Sequence, residues 1–136
     1  MDRNLQLLGI AKKAGLLAVG GDDVSAAARN GRARLIVSAC DATEGTLRRA
    51  RINAGTNGVP YAVVPYTKFE LGTIIKRGSP GTAAILDAGL AARFLRGLGQ
   101  AGPEHYESIA ELLEAEARAA AKRKQRILSG KRRTIQ

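Results

Sequence analysis

Leu35-Ile36-Val37-Ser38-Ala39 is a nearly continuous apolar run with β-branched residues at its centre. Such a run predicts a buried strand inside a sheet covered on both faces. Upstream, a helix over about Asp22 to Arg29 ends at Asn30-Gly31, a pair suited to a left-handed cap. Before that helix, Leu16-Leu17-Ala18-Val19 is a brief strand, joined to it through Gly20-Gly21-Asp22-Asp23. At the start of the chain, Leu5, Leu8 and Ala11/Lys12 recur at helical spacing, with Lys12 and Lys13 in the last turn and Gly15 as a stop.

Downstream the alternation continues. Thr43 caps a helix with Glu44 in its first turn and Arg48, Arg49 and Arg51 beyond, broken at Gly55 to Gly58. Tyr61-Ala62-Val63-Val64 is a further buried strand. Thr67 caps a helix from Lys68 to about Ile75, with Glu70 completing a capping box. After the turn-rich Gly78-Ser79-Pro80-Gly81, Thr82 to Leu86 is a strand and Ala88 to Arg96 a helix. Strands alternating with helices argue for an α/β sandwich around a central sheet. The short connections predict a mixed sheet of mostly parallel neighbours.

Residues 1–97 read as this domain and 98–136 as a linker with a charged tail. Gly97 to Gly102 forms the linker, and Pro103 suits a first helical position. The tail opens acidic (Glu104, Glu107, Glu111, Glu114, Glu116) and finishes basic (Arg118, Lys122, Arg123, Lys124, Arg126), which complements a helix dipole. Tyr106, Ile109, Leu112 and Leu113 give its front half an apolar stripe able to pack on the body. From Ala119 onward no stripe exists, and residues 118–136 hold eight basic residues and no acidic one. The tail is therefore expected to be a basic helix or disordered when free, with disorder the simpler expectation.

The 22 Lys and Arg against 12 Asp and Glu give a net charge of +10, pointing to polyanions whose counterions cations displace. A basic surface that serves only solubility is the plain alternative, and the clustering of the charge argues against it. Cys40 is alone, so no intramolecular disulfide forms, and one Cys with one His (His105) cannot build a structural zinc site. Cys40 ends the buried strand and reads as a small core residue; His105 reads as a surface residue. No apolar run reaches membrane-spanning length and the start lacks a signal-peptide core, so a cytoplasmic protein without a membrane partner is expected. Five aromatics leave a base-stacking platform poorly supplied.

Gly97-Leu98-Gly99-Gln100-Ala101-Gly102 fits a dinucleotide fingerprint in letters only, because a helix precedes it where a strand is needed. No P-loop is present. Asp22, Asp23 and Asp41 are carboxylates at loop or strand ends; capping and turn roles account for them more simply than a hard metal. No catalytic set, metal or cofactor is expected. The Gly20-Gly21-Asp22-Asp23 turn does carry chemistry. Its glycines allow a sharp turn and close approach, Asp22 or Gly21 can cap the helix, and the first-turn N–H groups face a polar ligand.

Gly20-Gly21-Asp22-Asp23-Val24-Ser25, the run from Arg29 to Val37, Asp41, Val59-Pro60-Tyr61 and Glu70-Leu71-Gly72 together resemble the ribosomal L-seven-Ae/L-thirty-e family, nearest its small bacterial ribosomal-protein-like members. The resemblance covers about residues 3–97. It implies a three-layer α/β/α sandwich that binds kink-turn RNA without catalysis. The family signature Gly-x-Asn-Glu-x-x-Lys falls on Gly20, Asp22, Asp23 and Ala26, so Asp stands for Asn and for Glu, and Ala for Lys. It further implies that the loop Lys76-Arg77-Gly78-Ser79-Pro80-Gly81 meets the RNA on the same sheet edge as the Gly20 turn.

The expected RNA-binding residues are thus Gly20, Gly21, Asp22, Asp23 and Ser25 as readers. Lys12, Lys13, Arg29, Arg34, Lys76, Arg77, Gly78 and the basic tail would meet phosphates. The expected partner is a structured, kink-turn-like ribosomal RNA, with ribosomal proteins as neighbours and the free chain monomeric. Two other readings stand beside it: an accessory substrate-recognition module for an RNA-modifying enzyme, and a protein-interaction module whose tail alone touches RNA.

Overall fold

The computed structural model describes residues 3–76, 78–99 and 105–135, without the side chains of His105 and residues 129–135. Expectations for Arg77, residues 100–102 of the linker, Pro103 and Glu104, the His105 side chain, and the side chains of Lys131, Arg132 and Arg133 lie outside the described residues. Gly97 and Leu98, expected as linker, instead continue the helix Ala88–Leu98.

Six helices and four strands alternate among the described residues: α1 (Arg3–Lys13), β1 (Leu17–Val19), α2 (Gly21–Arg29), β2 (Leu35–Ser38), α3 (Glu44–Asn57), β3 (Tyr61–Val63), α4 (Lys68–Ile75), β4 (Thr82–Ile85), α5 (Ala88–Leu98) and α6 (His105–Ile135). Local signals explain several boundaries. Thr43 Oγ1 accepts from the Thr46 N–H at the start of α3. Thr67 and Glu70 form the expected reciprocal capping box on α4. α3 runs through Gly55 instead of breaking there and stops at Gly58, which takes the left-handed cap at φ 65°.

The sheet is mixed, in the order β1-β4-β2-β3. β2 pairs parallel with β3, but β4 pairs antiparallel with both β1 and β2. The expected mostly parallel sheet is therefore corrected to one parallel and two antiparallel pairings. β1, β2 and β3 do run the same way. The last strand inserts between β1 and β2 pointing back, and so separates neighbours that would otherwise have been parallel.

Alternating side chains of the sheet feed two hydrophobic clusters. Ile36 and Ala84 pack with Val24, Ala27, Ala28, Ala50 and Ala54, which places α2 and α3 on one face. Leu35, Val37, Ala83 and Ile85 pack with Leu5, Leu8, Leu71, Ile75, Phe94 and Leu95, which places α1, α4 and α5 on the other. Tyr106, Ala110 and Leu113 of α6 belong to this second cluster, so the hydrophobic body continues past residue 98 into the front of α6. Arg96 bridges Glu114 at 2.9 Å and Glu107 at 3.6 Å, fastening α5 to α6.

The chain after Ala117 continues as helix to Ile135, where disorder was the simpler expectation. Ala119-Ala120-Ala121 and the long basic side chains that follow are strong helix formers, and the charge order suits the helix dipole. Among the described residues no helix is long and apolar enough to cross a membrane.

Candidate nucleic-acid interface

Because β1, β2 and β3 run one way, the segments that follow them gather at one sheet edge with the residues entering β4. The Gly20 N–H donates to the Thr82 carbonyl at 3.1 Å, the Ala39 N–H to the Gly81 carbonyl at 2.9 Å, and the Cys40 N–H to the Tyr66 carbonyl at 2.9 Å. The Lys68 N–H donates to Asp41 Oδ1 at 2.8 Å. Ligands of open α/β sheets collect outside the carboxyl ends of strands, which is this edge. Cys40 lies here exposed, not in the core as expected, because β2 ends two residues earlier at Ser38.

Gly20 makes the turn into α2 with φ 88°, a conformation that favours glycine, and serves as the N-cap. The sequence points to Asp22 or Gly21 as the cap, but both lie within the first turn of the helix, and no side chain caps it. By contrast Thr43, Thr67 and Asp87 each close the helix that follows them. The first turn of α2 is thus left without a side-chain N-cap.

The Asp22 carboxylate turns instead to α3, where Oδ1 accepts from Arg49 Nη2 at 2.8 Å. That hydrogen bond, and the guanidinium charge behind it, hold the Asp22 carboxyl below its ordinary value of 3.8. Gly21 leaves the guanidinium room in this position: a Cβ there would lie 2.7 Å from Arg49 Nη1. Between α2, α3 and the start of β4 is a cleft of about 160 Å³, lined by Gly20, Gly21, Thr46, Arg49, Asn53 and Gly81 with Val24, Ala50 and Thr82. Its polar groups can hydrogen-bond an edge or a phosphate, and its glycines admit a backbone.

Ser25, expected as a reader, is 5% exposed and accepts from Asn53 Nδ2 at 2.7 Å, so it braces α2 against α3. Asp23 is exposed beside Asp22. Gly78 is exposed in the loop that folds back over α4. Lys12 and Lys76 meet elsewhere: Lys12 Nζ donates to the Ile75 carbonyl at the end of α4, and Lys76 is the left-handed C-cap of that helix at φ 58°. Lys13 is exposed at the end of α1. Neither these lysines nor Gly78 line the cleft.

Arg29 and Arg34 flank the start of β2, at the far end of the sheet. The Arg34 N–H donates to the Ile85 carbonyl, three residues along β4 from Thr82 and about 10 Å away at a strand's rise. The Arg34 side chain bridges Glu116 of α6 at 3.3 Å. The expected ring of cations around the Gly20 turn is therefore spread over three places. Arg49 is the residue sequence reasoning missed. Thr46, Arg49 and Asn53 recur at i, i+3 and i+7, which puts them on one face of α3, and that spacing was the available signal.

Charge is as unevenly placed as geometry. Residues 1–117 hold 14 Lys and Arg against 12 Asp and Glu, a net of +2, and residues 118–136 carry the remaining +8. Every described side chain from Arg118 to Leu128 is exposed. At a helical rise, the stretch from Arg118 to Ile135 is a rod of about 27 Å.

The molecule is thus a mixed α/β sheet with helices on both faces, a polar cleft at the strand ends and a cationic helical extension. No family model and no curated protein matches the chain. Among solved structures it is similar to a protein of unknown function from Bacillus halodurans, at 26% identity and a TM-score of 0.65, over 72% of this chain and 98% of that one. It is also similar in fold to a 15.5 kD RNA-binding protein of Giardia lamblia, at 15% identity and a TM-score of 0.53, over 85% and 84% of the two chains.

Proposed function

We propose that this chain is a non-catalytic RNA-binding protein that acts on structured, kink-turn-like RNA in the cytoplasm, in association with the ribosome. The observation that carries the reading is the combination on one chain of a polar, glycine-framed cleft at the strand ends and an extension holding +8 of the net charge. The cleft offers groups for recognition, and the extension supplies counterion release along a phosphate backbone. The RNA-binding name of the Giardia neighbour and the resemblance of the Gly20–Ser25 segment to kink-turn binders support RNA over DNA.

Division of labour is testable by a salt titration on a kink-turn RNA and a plain duplex. Truncation after Ala117 keeps Leu113 and the rest of the hydrophobic body. It should weaken binding to both RNAs and flatten the salt dependence by several phosphate contacts. Asp23→Ala should leave the salt slope alone and lower discrimination between the two. A second reading, an interaction module whose extension alone holds RNA, draws on the body's net charge of only +2. Complete loss of kink-turn preference in the truncated chain would establish that reading in place of the first.

A further inference from the structure

The Asp22–Arg49 pair stands where the proposed RNA would have to enter, and its geometry favours a gate over a brace. Arg49 is the one cation lining the cleft among the described residues, and it lies across Gly21, where a Cβ would stand 2.7 Å from its Nη1 and the guanidinium would have to shift. Its partner carboxylate is 96% exposed and the Arg49 side chain 52% exposed, so water solvates both ends of the bridge. Exposed ion pairs are weak, because solvent screens them and the side chains lose freedom to form them. The buried bracing between the two helices is done instead by Ser25 with Asn53 and by the alanine cluster below.

A guanidinium is a planar fork that takes a carboxylate or a phosphate in the same way. While Asp22 occupies Arg49, the cleft presents a neutralised cation, and the carboxylate repels a nearby phosphate. We propose that the Asp22–Arg49 bridge is a displaceable latch: a phosphate of docked RNA takes the place of Asp22 on Arg49 and frees the cleft behind it. This rests on the RNA-binding reading and deepens it. RNA that touches only the cationic extension does not open the latch, whereas RNA shaped to reach the sheet edge does. Asp22 then acts as a filter against phosphates in general and not as a reader of bases.

Three variants test this. Asp22→Asn keeps the size and removes the charge, so it should tighten binding to plain duplex roughly threefold to tenfold at low salt and steepen the salt slope by about one phosphate. Arg49→Gln should weaken kink-turn binding and flatten the slope by about one. The double variant should behave as Arg49→Gln alone, since the gain requires a freed Arg49. Looser binding by Asp22→Asn, or a gain that survives without Arg49, overturns the latch. A second readout uses no RNA: the Arg49 Nε–H resonance followed during titration with inorganic phosphate. It should respond at lower phosphate in Asp22→Asn than in the unaltered chain, and identical responses overturn the latch whatever RNA does. Failure of the unaltered chain to bind RNA overturns the RNA reading separately.

Discussion

Gly72 of α4 lies directly beneath the backbone of Gly78: a Cβ on Gly72 would sit 2.0 Å from the Gly78 carbonyl oxygen. The loop entering β4 thus folds back onto α4 at a point where no side chain fits. Gly72→Ala must push backbone against backbone, with no flexible side-chain end to yield. A loss of about 1–3 kcal/mol is expected, in the range of overpacked sites. Chemical denaturation measures it, and unchanged stability would show that the loop is free to lift.

Leu113 is fully buried although it lies beyond the segment read from sequence as the domain. Leu113→Ala should cost about 2–5 kcal/mol through lost burial and the cavity left behind. Removing residues 103–136 should accordingly lower the melting temperature of the body, whereas removing 118–136 should leave it nearly unchanged. Equal effects from the two truncations would mean that the front of α6 is not part of the core.

Lys76 holds a left-handed conformation as a residue with a Cβ, at φ 58°. Glycine there relieves roughly 1–2 kcal/mol of strain and gives back part of it in unfolded-chain entropy. Lys76→Gly should therefore stabilise the fold by about 1 kcal/mol or less. If Lys76 meets a phosphate, the same variant should flatten the salt slope of RNA binding by about one contact. Stability and affinity moving in opposite directions would mark strain kept for binding.

Glu114 responds to pH through α5. Its hydrogen bond from Arg96, with the charge of that residue and of Arg118, outweighs burial and holds its carboxyl below the ordinary 4.5. A lowered carboxyl pKa stabilises the fold at full strength above the ordinary value and loses that contribution as pH falls through the lowered one. The difference in melting temperature between the unaltered chain and Glu114→Gln should hold steady from pH 8 to about pH 5 and vanish in stronger acid. A difference that grows on acidification would contradict the pairing with Arg96.

The features legible in sequence were those whose cause is local. Thr67 and Glu70 lie three residues apart, and their capping box formed as read. The periodic strands and helices came out within a few residues of their expected limits. What failed was set by partners far along the chain. Asp22 reads as a cap until Arg49, 27 residues on, claims its carboxylate. Arg34 reads as a free cation until Glu116 meets it. Alternation of helices and strands constrains which way the chain crosses the sheet, but not that β4 enters between β1 and β2. At the candidate site the turn glycines announced themselves, and Arg49 did not, because its role appears only once α3 is packed beside α2.

The place of β4 also governs the order in which the chain can be completed as it is made. Among the described residues β1 pairs with β4 alone, across more than sixty residues of intervening chain. A nascent polypeptide emerging from its first residue can pair β2 with β3 early, while β1 waits with both edges open until Thr82–Ile85 has left the exit tunnel. The turn at Gly20, whose N–H donates to the Thr82 carbonyl, is thus one of the last parts of the molecule to acquire its shape.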